Sequence, residues 1–539
     1  MTMQMPYITI AISAFVLGQG SLALAQAVAT GAAAEAPRLY LNTASPPAPA
    51  PGHVILKVGS GGNFQAALNK AQPGDVIELA KGASFSGNFI LPNKNTASTS
   101  WIVIRPSNYA MLPAEGERMT PTIASTLALP QVLAPNQNHA IKTEAGAHHY
   151  RLVGLNVGVV AGLAQSYGLI GIDGEQRTEA GIPHDIILDR LYVHGTPEIA
   201  LRRCLTFNAA STAVVDSWVS ECHDKGSDSQ AIAGWNGPGP FKIVNNYLEG
   251  AGENIIFGGS DPAIKDLTPS DIEIRRNHIT KLLAWKKVWS VKNLVELKHA
   301  RRVLLEGNII ENNWTHGQNG TGIVMMSANQ NGQCTWCATQ DVTIRFNKIL
   351  NVGSGINISN TAPNRLPSGQ TRRIAIVDNI ISHINVGQFD GDGRGFSTFG
   401  AVDGVLIAHN TMMTPTNSAF VFGPAGSQVM NFSAIGNLVG GGTYGMLGDN
   451  FMATKAFANY APNGQFRDNV MIIAYPGAVY PPGNAYPATA AAVGFFDLVG
   501  ENYRLAPNSR FKRPGSDGRE PGANVDSLEV LLKGVRVQP

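Results

Sequence analysis

A short apolar strand that runs into asparagine and then into a second apolar pair recurs down this chain. Ile243-Val244-Asn245-Asn246-Tyr247-Leu248 is echoed by Ile274-Arg275-Arg276-Asn277-His278-Ile279 and by Leu304-Leu305-Glu306-Gly307-Asn308-Ile309. Further copies follow at Asn347, Asn379, Asn410, Asn437 and Asn469, at intervals of 31, 31, 39, 32, 31, 27 and 32 residues from Asn246 onward. Periods of this order mark a solenoid or an array. Helical repeats need an apolar period of 3.6, whereas these units alternate with period two and are rich in β-branched residues, as in Asp341-Val342-Thr343-Ile344-Arg345-Phe346. A propeller would require hairpins at regular spacing, and few hairpin turns are present. In stacked coils the recurring Asn sits at a bend, where its amide reaches the backbone and the same amide one coil away. It is therefore structural.

The expected fold is all-β, a right-handed parallel β-helix with a short N-terminal capping helix. Residues 64–79 read as an amphipathic helix, a Pro-Gly turn and a first strand. This opening, followed by residues 82–92, resembles the start of pectin-lyase-like right-handed β-helix proteins, and the resemblance extends to about residue 475. A narrower resemblance lies in Asp228-Ser229-Gln230-Ala231-Ile232, residues 234–241, Gly252-Glu253-Asn254, Gly258-Gly259-Ser260-Asp261-Pro262 and Glu311-Asn312-Asn313-Trp314. These are similar to a group of exported bacterial β-helix repeat proteins without an assigned activity.

The organisation expected is a signal peptide at 1–25, an Ala/Pro-rich linker at 26–52, the β-helix at 53–475 and a tail at 476–539 that packs on the solenoid. The apolar run at 8–17 and Ala23-Leu24-Ala25 support export, which predicts a secreted or periplasmic protein with no membrane span in the mature chain. Charged residues make up 14% of the chain and the net charge is +2, so there is no general drive toward nucleic acid or anionic membranes. The four cysteines, Cys204, Cys222, Cys334 and Cys337, suit two structural disulfides. No Gly-rich phosphate loop and no zinc-type His pair is visible.

Candidate chemistry gathers between residues 202 and 316. Counting back equal distances from Asn246, Asn277 and Asn308 places Gln230, Asp261 and Lys292 in one column, provided the intervening loops are equal. Val295-Glu296-Leu297-Lys298 alternates, sending Glu296 and Lys298 to one outer face. Glu253 and Asn254 follow a glycine-rich stretch that leaves room for a ligand. Arg202, with Arg203 beside it, suits a forked grip on a carboxylate. Trp235 offers a stacking plane and His316 a proton donor. Asp224, Asp228 and Asp261 supply the hard oxygens that Ca²⁺ prefers, and Ca²⁺ is the one cofactor anticipated.

The expected partner is a polysaccharide. Three functions remain open. A lyase acting on a uronate-containing polysaccharide would use Lys292 or Lys298 as base, Arg202 as carboxylate clamp, and Glu253 with Asp261 on calcium. A glycoside hydrolase would use two carboxylates among Glu253, Asp261 and Glu296; the adjacent aspartates of the polygalacturonase-like hydrolases are missing. A non-catalytic carbohydrate-binding or surface solenoid is the third, since fold does not imply function.

Overall fold

The computed structural model describes residues 33–44, 52–360, 362–473, 475 and 477–537. The proposed signal peptide lies outside the described residues. Among them, three long parallel sheets run the length of the molecule: sheet A of 14 strands (Ile55–Val58 to Gln465–Arg467), sheet B of 13 (Ser84–Ser86 to Val470–Ile472) and sheet C of 12 (Phe89–Leu91 to Gly445–Gly448). Each coil contributes one strand to each sheet, as Glu253–Phe257 in C, Ser270–Arg275 in A and His278–Thr280 in B, before Asn293–Leu297 re-enters C. This is the parallel β-helix that the repeat implies. Ile232, Ile255, Val295 and Ile323 stack in register and belong to one continuous apolar core. The end of that core is closed by helix α1 (Phe64–Lys70), which is capped by the Asn63 side chain and buries Phe64 and Leu68.

The asparagine ladder occupies the corner between sheets A and B. Asn277 Oδ1 accepts from the backbone N–H of Asn246 at 2.9 Å and from its Nδ2 at 3.0 Å. Asn246 Nδ2 also donates to the Val214 carbonyl. The same bonds recur through Asn308, Asn347, Asn379, Asn410, Asn437 and Asn469. Two rungs were not legible in the repeat: Ser217 begins the ladder by donating its N–H to Asn246 Oδ1, and Asn484 ends it by accepting from Asn469. The left-handed backbone of the bend belongs to the residue before each ladder asparagine. Asn245, Arg276, Gly307, Phe346, Asp378, His409, Gly436 and Asp468 all have φ between 50° and 64°. A side chain that must aim its amide along the stack stays in an extended frame, and its neighbour makes the turn.

Two segments cover the outside. Residues 33–44 cross sheet A as a strap: the N–H groups of Glu35 and Arg38 reach Asp341 and Asp271, while Lys242 and Arg151 donate to the carbonyls of Leu41 and Thr43. The tail returns along the ladder corner and sheet B through Asp517–His409, Arg519–Asp378 and Arg276 to the Leu531 carbonyl. Two disulfides, Cys204–Cys222 and Cys334–Cys337, pair all four cysteines. No helix among the described residues is long and apolar enough to cross a membrane.

Candidate active site

Where a strand enters sheet C the chain bends, so two successive residues face the core. Ala231-Ile232 and Leu294-Val295 are such pairs. The residue before each pair faces outward, and these residues form a column: Arg203, Gln230, Glu253 and Asn293 are partners in register across consecutive coils. The next outward position is Ile256 beside Glu296, and Lys298 follows two residues later. Neighbouring coils lie about 4.8 Å apart, so a short stretch of sheet C carries an unusual density of charge.

Glu253 is fully buried. Its Oε2 accepts from Gln230 Nε2 at 2.8 Å, and its Oε1 has no partner. Burial, then the charges of Glu296 and Asp228, push its pKa up to about 8, against the pull of Gln230 and Lys292. Glu296, also buried, accepts from Asn293 Nδ2 at 3.0 Å and holds Lys298 Nζ at 3.1 Å. Burial disfavours the Lys298 ammonium, but the carboxylates of Glu296 and Glu253 outweigh it and hold its pKa above the ordinary lysine value. The side chains of Lys298 and Lys292 remain 13% and 20% exposed, and Lys292 pairs with Asp228 at 2.5 Å. At the other end of the column Arg203 donates to Gln230 Oε1 and lies 4.9 Å above the half-buried Trp235 ring.

The structure thus brings together Glu253, Glu296, Lys298, Lys292, Asp228, Gln230 and Trp235. The column drawn from equal loops is corrected: it runs Gln230, Glu253, Asn293, not Gln230, Asp261, Lys292, because the loops from sheet C to sheet A at 258–269 and 298–299 differ in length and break the count. Asp261 sits in the first of these loops, where its carboxylate accepts from the N–H groups of Gln330, Asn331 and Gln333. Asp224 accepts from Gly226 and Ser227 and closes its own turn. With Asp228 on Lys292, the three aspartates anticipated as metal ligands do not meet.

Two further placements differ from expectation, those of Asn254 and Arg202. Asn254 takes the inward position that Ala231 and Leu294 occupy in the neighbouring coils, and its Nδ2 donates to the Leu248 and Thr280 carbonyls. It is sealed from any sugar. Arg202 stands one place off the column, its buried Nε without a partner, and Arg203 takes the position beside Gln230. Trp285, Trp289 and Trp314 form a buried cluster with Ala251 and Val291, against which the His223 ring stacks at 3.9 Å from Trp289. His316 is exposed on the loop beside Lys292, its Nδ1 accepting from Val291 N–H at 3.4 Å.

Sequence reading missed Lys281 and Asn293. Lys281 is completely buried, and its ammonium donates to the carbonyls of Gly250, Gly252 and Asn293 and to Asn254 Oδ1. Burial lowers its pKa to about 7, with Glu253 working in the opposite sense. Asn293 joins Glu296 to Gln318 and leaves its own buried Oδ1 without a partner. The only sequence signal for either is a polar residue at a strand edge, which most solvated positions share.

No family model matches the sequence, and no curated protein matches it. Among solved structures, a mannuronic acid specific polysaccharide family 6 lyase from human gut microbiota is similar at 14% identity and a TM-score of 0.51, covering 80% of this chain and 90% of that one. A PL6 family alginate lyase, AlyGC, is 16% identical with a TM-score of 0.46 over 90% of this chain and 59% of its own. A tailspike protein of E. coli bacteriophage HK620, in complex with a pentasaccharide, is 12% identical with a TM-score of 0.48 over 76% of this chain and 62% of its own. The chain therefore has the parallel β-helix fold that its three long parallel sheets define, in common with that mannuronic acid specific lyase.

Proposed function

We propose that this protein is a polysaccharide lyase that cleaves a uronate-containing polymer on the outer face of sheet C. The observation that carries the reading is the lysine Lys298 fixed over two buried carboxylates, Glu296 and Glu253, with a second lysine, Lys292, beside them. In β-elimination a base removes the proton next to the uronate carboxylate, the electron pair forms the new double bond, and the leaving oxygen takes a proton. Lys298 is the base, oriented by Glu296; because the neighbouring carboxylates hold its proton, it acts as the free amine that alkaline pH supplies. Lys292 neutralises the carboxylate of the cleaved uronate, which acidifies the proton. His316, exposed on the adjoining loop, protonates the leaving oxygen. Arg203 and Trp235, farther along the column, bind a neighbouring sugar by its carboxylate and by its face.

Calcium remains compatible with the site, through Glu253 as anticipated but with Asn293 and Glu296 in place of the aspartates. Glu253 Oε1 and Asn293 Oδ1 are buried oxygens without partners, and Glu296 lies beside Asn293; together they fit a hard cation in kind. Bound there, Ca²⁺ would supply positive charge toward the uronate carboxylate. A mannuronate-specific lyase as structural neighbour supports an acidic polysaccharide as the class of substrate.

A specific observation favours a second reading. Two adjacent carboxyl groups, one raised to about 8, are what an acid–base pair of a glycoside hydrolase requires. One experiment separates the two: the purified protein is incubated with polymannuronate, polygalacturonate and neutral glycans, with and without Ca²⁺. Ultraviolet absorbance of unsaturated uronate appearing with reducing ends is expected. Reducing ends without that absorbance would transfer the assignment to the hydrolase, and silence across the panel would leave a binding solenoid. The same readings apply to a protein secreted or periplasmic in origin, the location that the N-terminal sequence suggests.

A further inference from the structure

On a different sheet from the candidate active site, three imidazoles meet on the outside of sheet A. His148 and His184 are partners in register on consecutive coils, their rings parallel at 4.7 Å. The following residues, His149 and Asp185, occupy equivalent positions and both have left-handed backbones, with φ of 57° and 54°. One nitrogen from each of His148, His149 and His184 lies within 4.8 Å of the others. The sequence gave no hint of this, because the third histidine comes from the next coil, 35 residues beyond the adjacent pair.

The surroundings orient the rings as ligands are oriented in metal sites. His148 Nε2 faces the Thr96 carbonyl at 3.0 Å, so it carries the proton and leaves Nδ1 as an electron-pair donor, which accepts from His149 Nδ1 until a metal ion takes that place. His184 Nδ1 meets Asp185 Oδ2 at 2.7 Å, which fixes its tautomer with the other nitrogen as electron-pair donor. The same Asp185 oxygen lies 4.0 Å from His149 Nε2, and His149 Nδ1 faces His148 Nδ1 at 2.7 Å. The His184 side chain is 40% exposed, so a metal ion has a route in from solvent. The other cluster of potential ligands, His299 with Cys334 and Cys337, has its sulfurs locked in a disulfide.

We infer that His148, His149 and His184, with Asp185 as orienting or fourth ligand, form a binding site for a divalent transition metal of the zinc class. Three imidazoles and a carboxylate suit Zn²⁺ and its late first-row neighbours, and they do not suit Ca²⁺, which takes oxygen ligands.

The test is calorimetric titration of the tag-free, chelator-treated full chain with Zn²⁺ alone. One equivalent should bind, and excess Ca²⁺ should not displace it. His184→Ala should weaken binding by at least about 100-fold, the upper end of what losing an orienting partner alone costs, and Asp185→Asn by about tenfold or more. Asparagine tolerates the left-handed backbone at that position. His149→Gln, which keeps the shape of the part-buried side chain, should also lose binding, and unchanged melting of these variants separates loss of a ligand from loss of the fold. His316→Ala, remote from the cluster, should bind as the unaltered protein does. Absence of stoichiometric Zn²⁺ binding, wild-type affinity in His184→Ala, or displacement by Ca²⁺ would each overturn the assignment.

Discussion

The asparagine ladder and the charged nest of sheet C are both buried and polar, yet they are opposites in kind. Along the ladder every amide from Asn246 to Asn437 repeats the same donations and acceptances with its neighbours. Nothing in it is left over. In the nest no bond repeats: Glu253 and Asn293 each keep a buried oxygen without a partner, Glu253 sits at a raised pKa, and Lys281 at a lowered one. A satisfied repeat rigidifies a corner, whereas an unsatisfied, non-repeating cluster costs stability and so marks where a ligand or a reaction would complete it.

That contrast can be broken in four places. Replacing Lys298 by Met should lower turnover of a uronate polymer by about a thousandfold, within the range for a lost general base, with the unfolding midpoint nearly unchanged; retained turnover would remove Lys298 from the chemistry. Asn308→Ala should do the reverse. It strands the N–H and Nδ2 of Asn277 and the Ile274 carbonyl, and urea unfolding should show a loss of about 3 kcal/mol. A loss below about 1 kcal/mol would mean that the coils relax around a missing rung.

The pH dependence of stability sharpens the comparison further. Glu253 is raised from 4.5 to about 8 on folding, so the folded protein binds more protons than the unfolded chain between those values. Its contribution is fully present below about pH 4.5 and is lost as pH climbs toward 8, at no more than about 1.4 kcal/mol per pH unit. Glu253→Gln should flatten that slope, and parallel curves for the two proteins would show that the carboxyl is not perturbed. The smallest effect concerns Glu296→Gln. Removing the charge that holds the Lys298 proton should move the acid limb of activity, along which the base loses its proton, toward lower pH by about one unit; a limb that stays in place would separate Glu296 from the base.

Much of the scaffold was open to sequence reading because a solenoid repeats its physics. Asn277 and Asn308 stand in the same environment, so periodicity reveals both, and the capping helix shows in the spacing of Phe64 and Leu68. The site yielded less. Glu296 and Lys298 were reachable from alternation at a strand, a property of two or three residues, Glu253 from the glycines before it, and Lys292 from the count back from Asn308. Asp261 was misplaced because the register between coils depends on loop length, and the loops from sheet C to sheet A, 258–269 and 298–299, obey no repeat. Asn254 reads like any loop amide until the bend in sheet C turns it inward.

The sequence by itself therefore determined the coil, its period and its polar corner, since each follows from contacts between equivalent residues of neighbouring turns. Only the tertiary structure decided which unlike residues meet: Gln230 with Glu253, Lys281 with Asn254, and His184 with the His148–His149 pair. Those encounters depend on the rise between coils and on the unequal loops that set it in register, and neither is a property of any local stretch of chain.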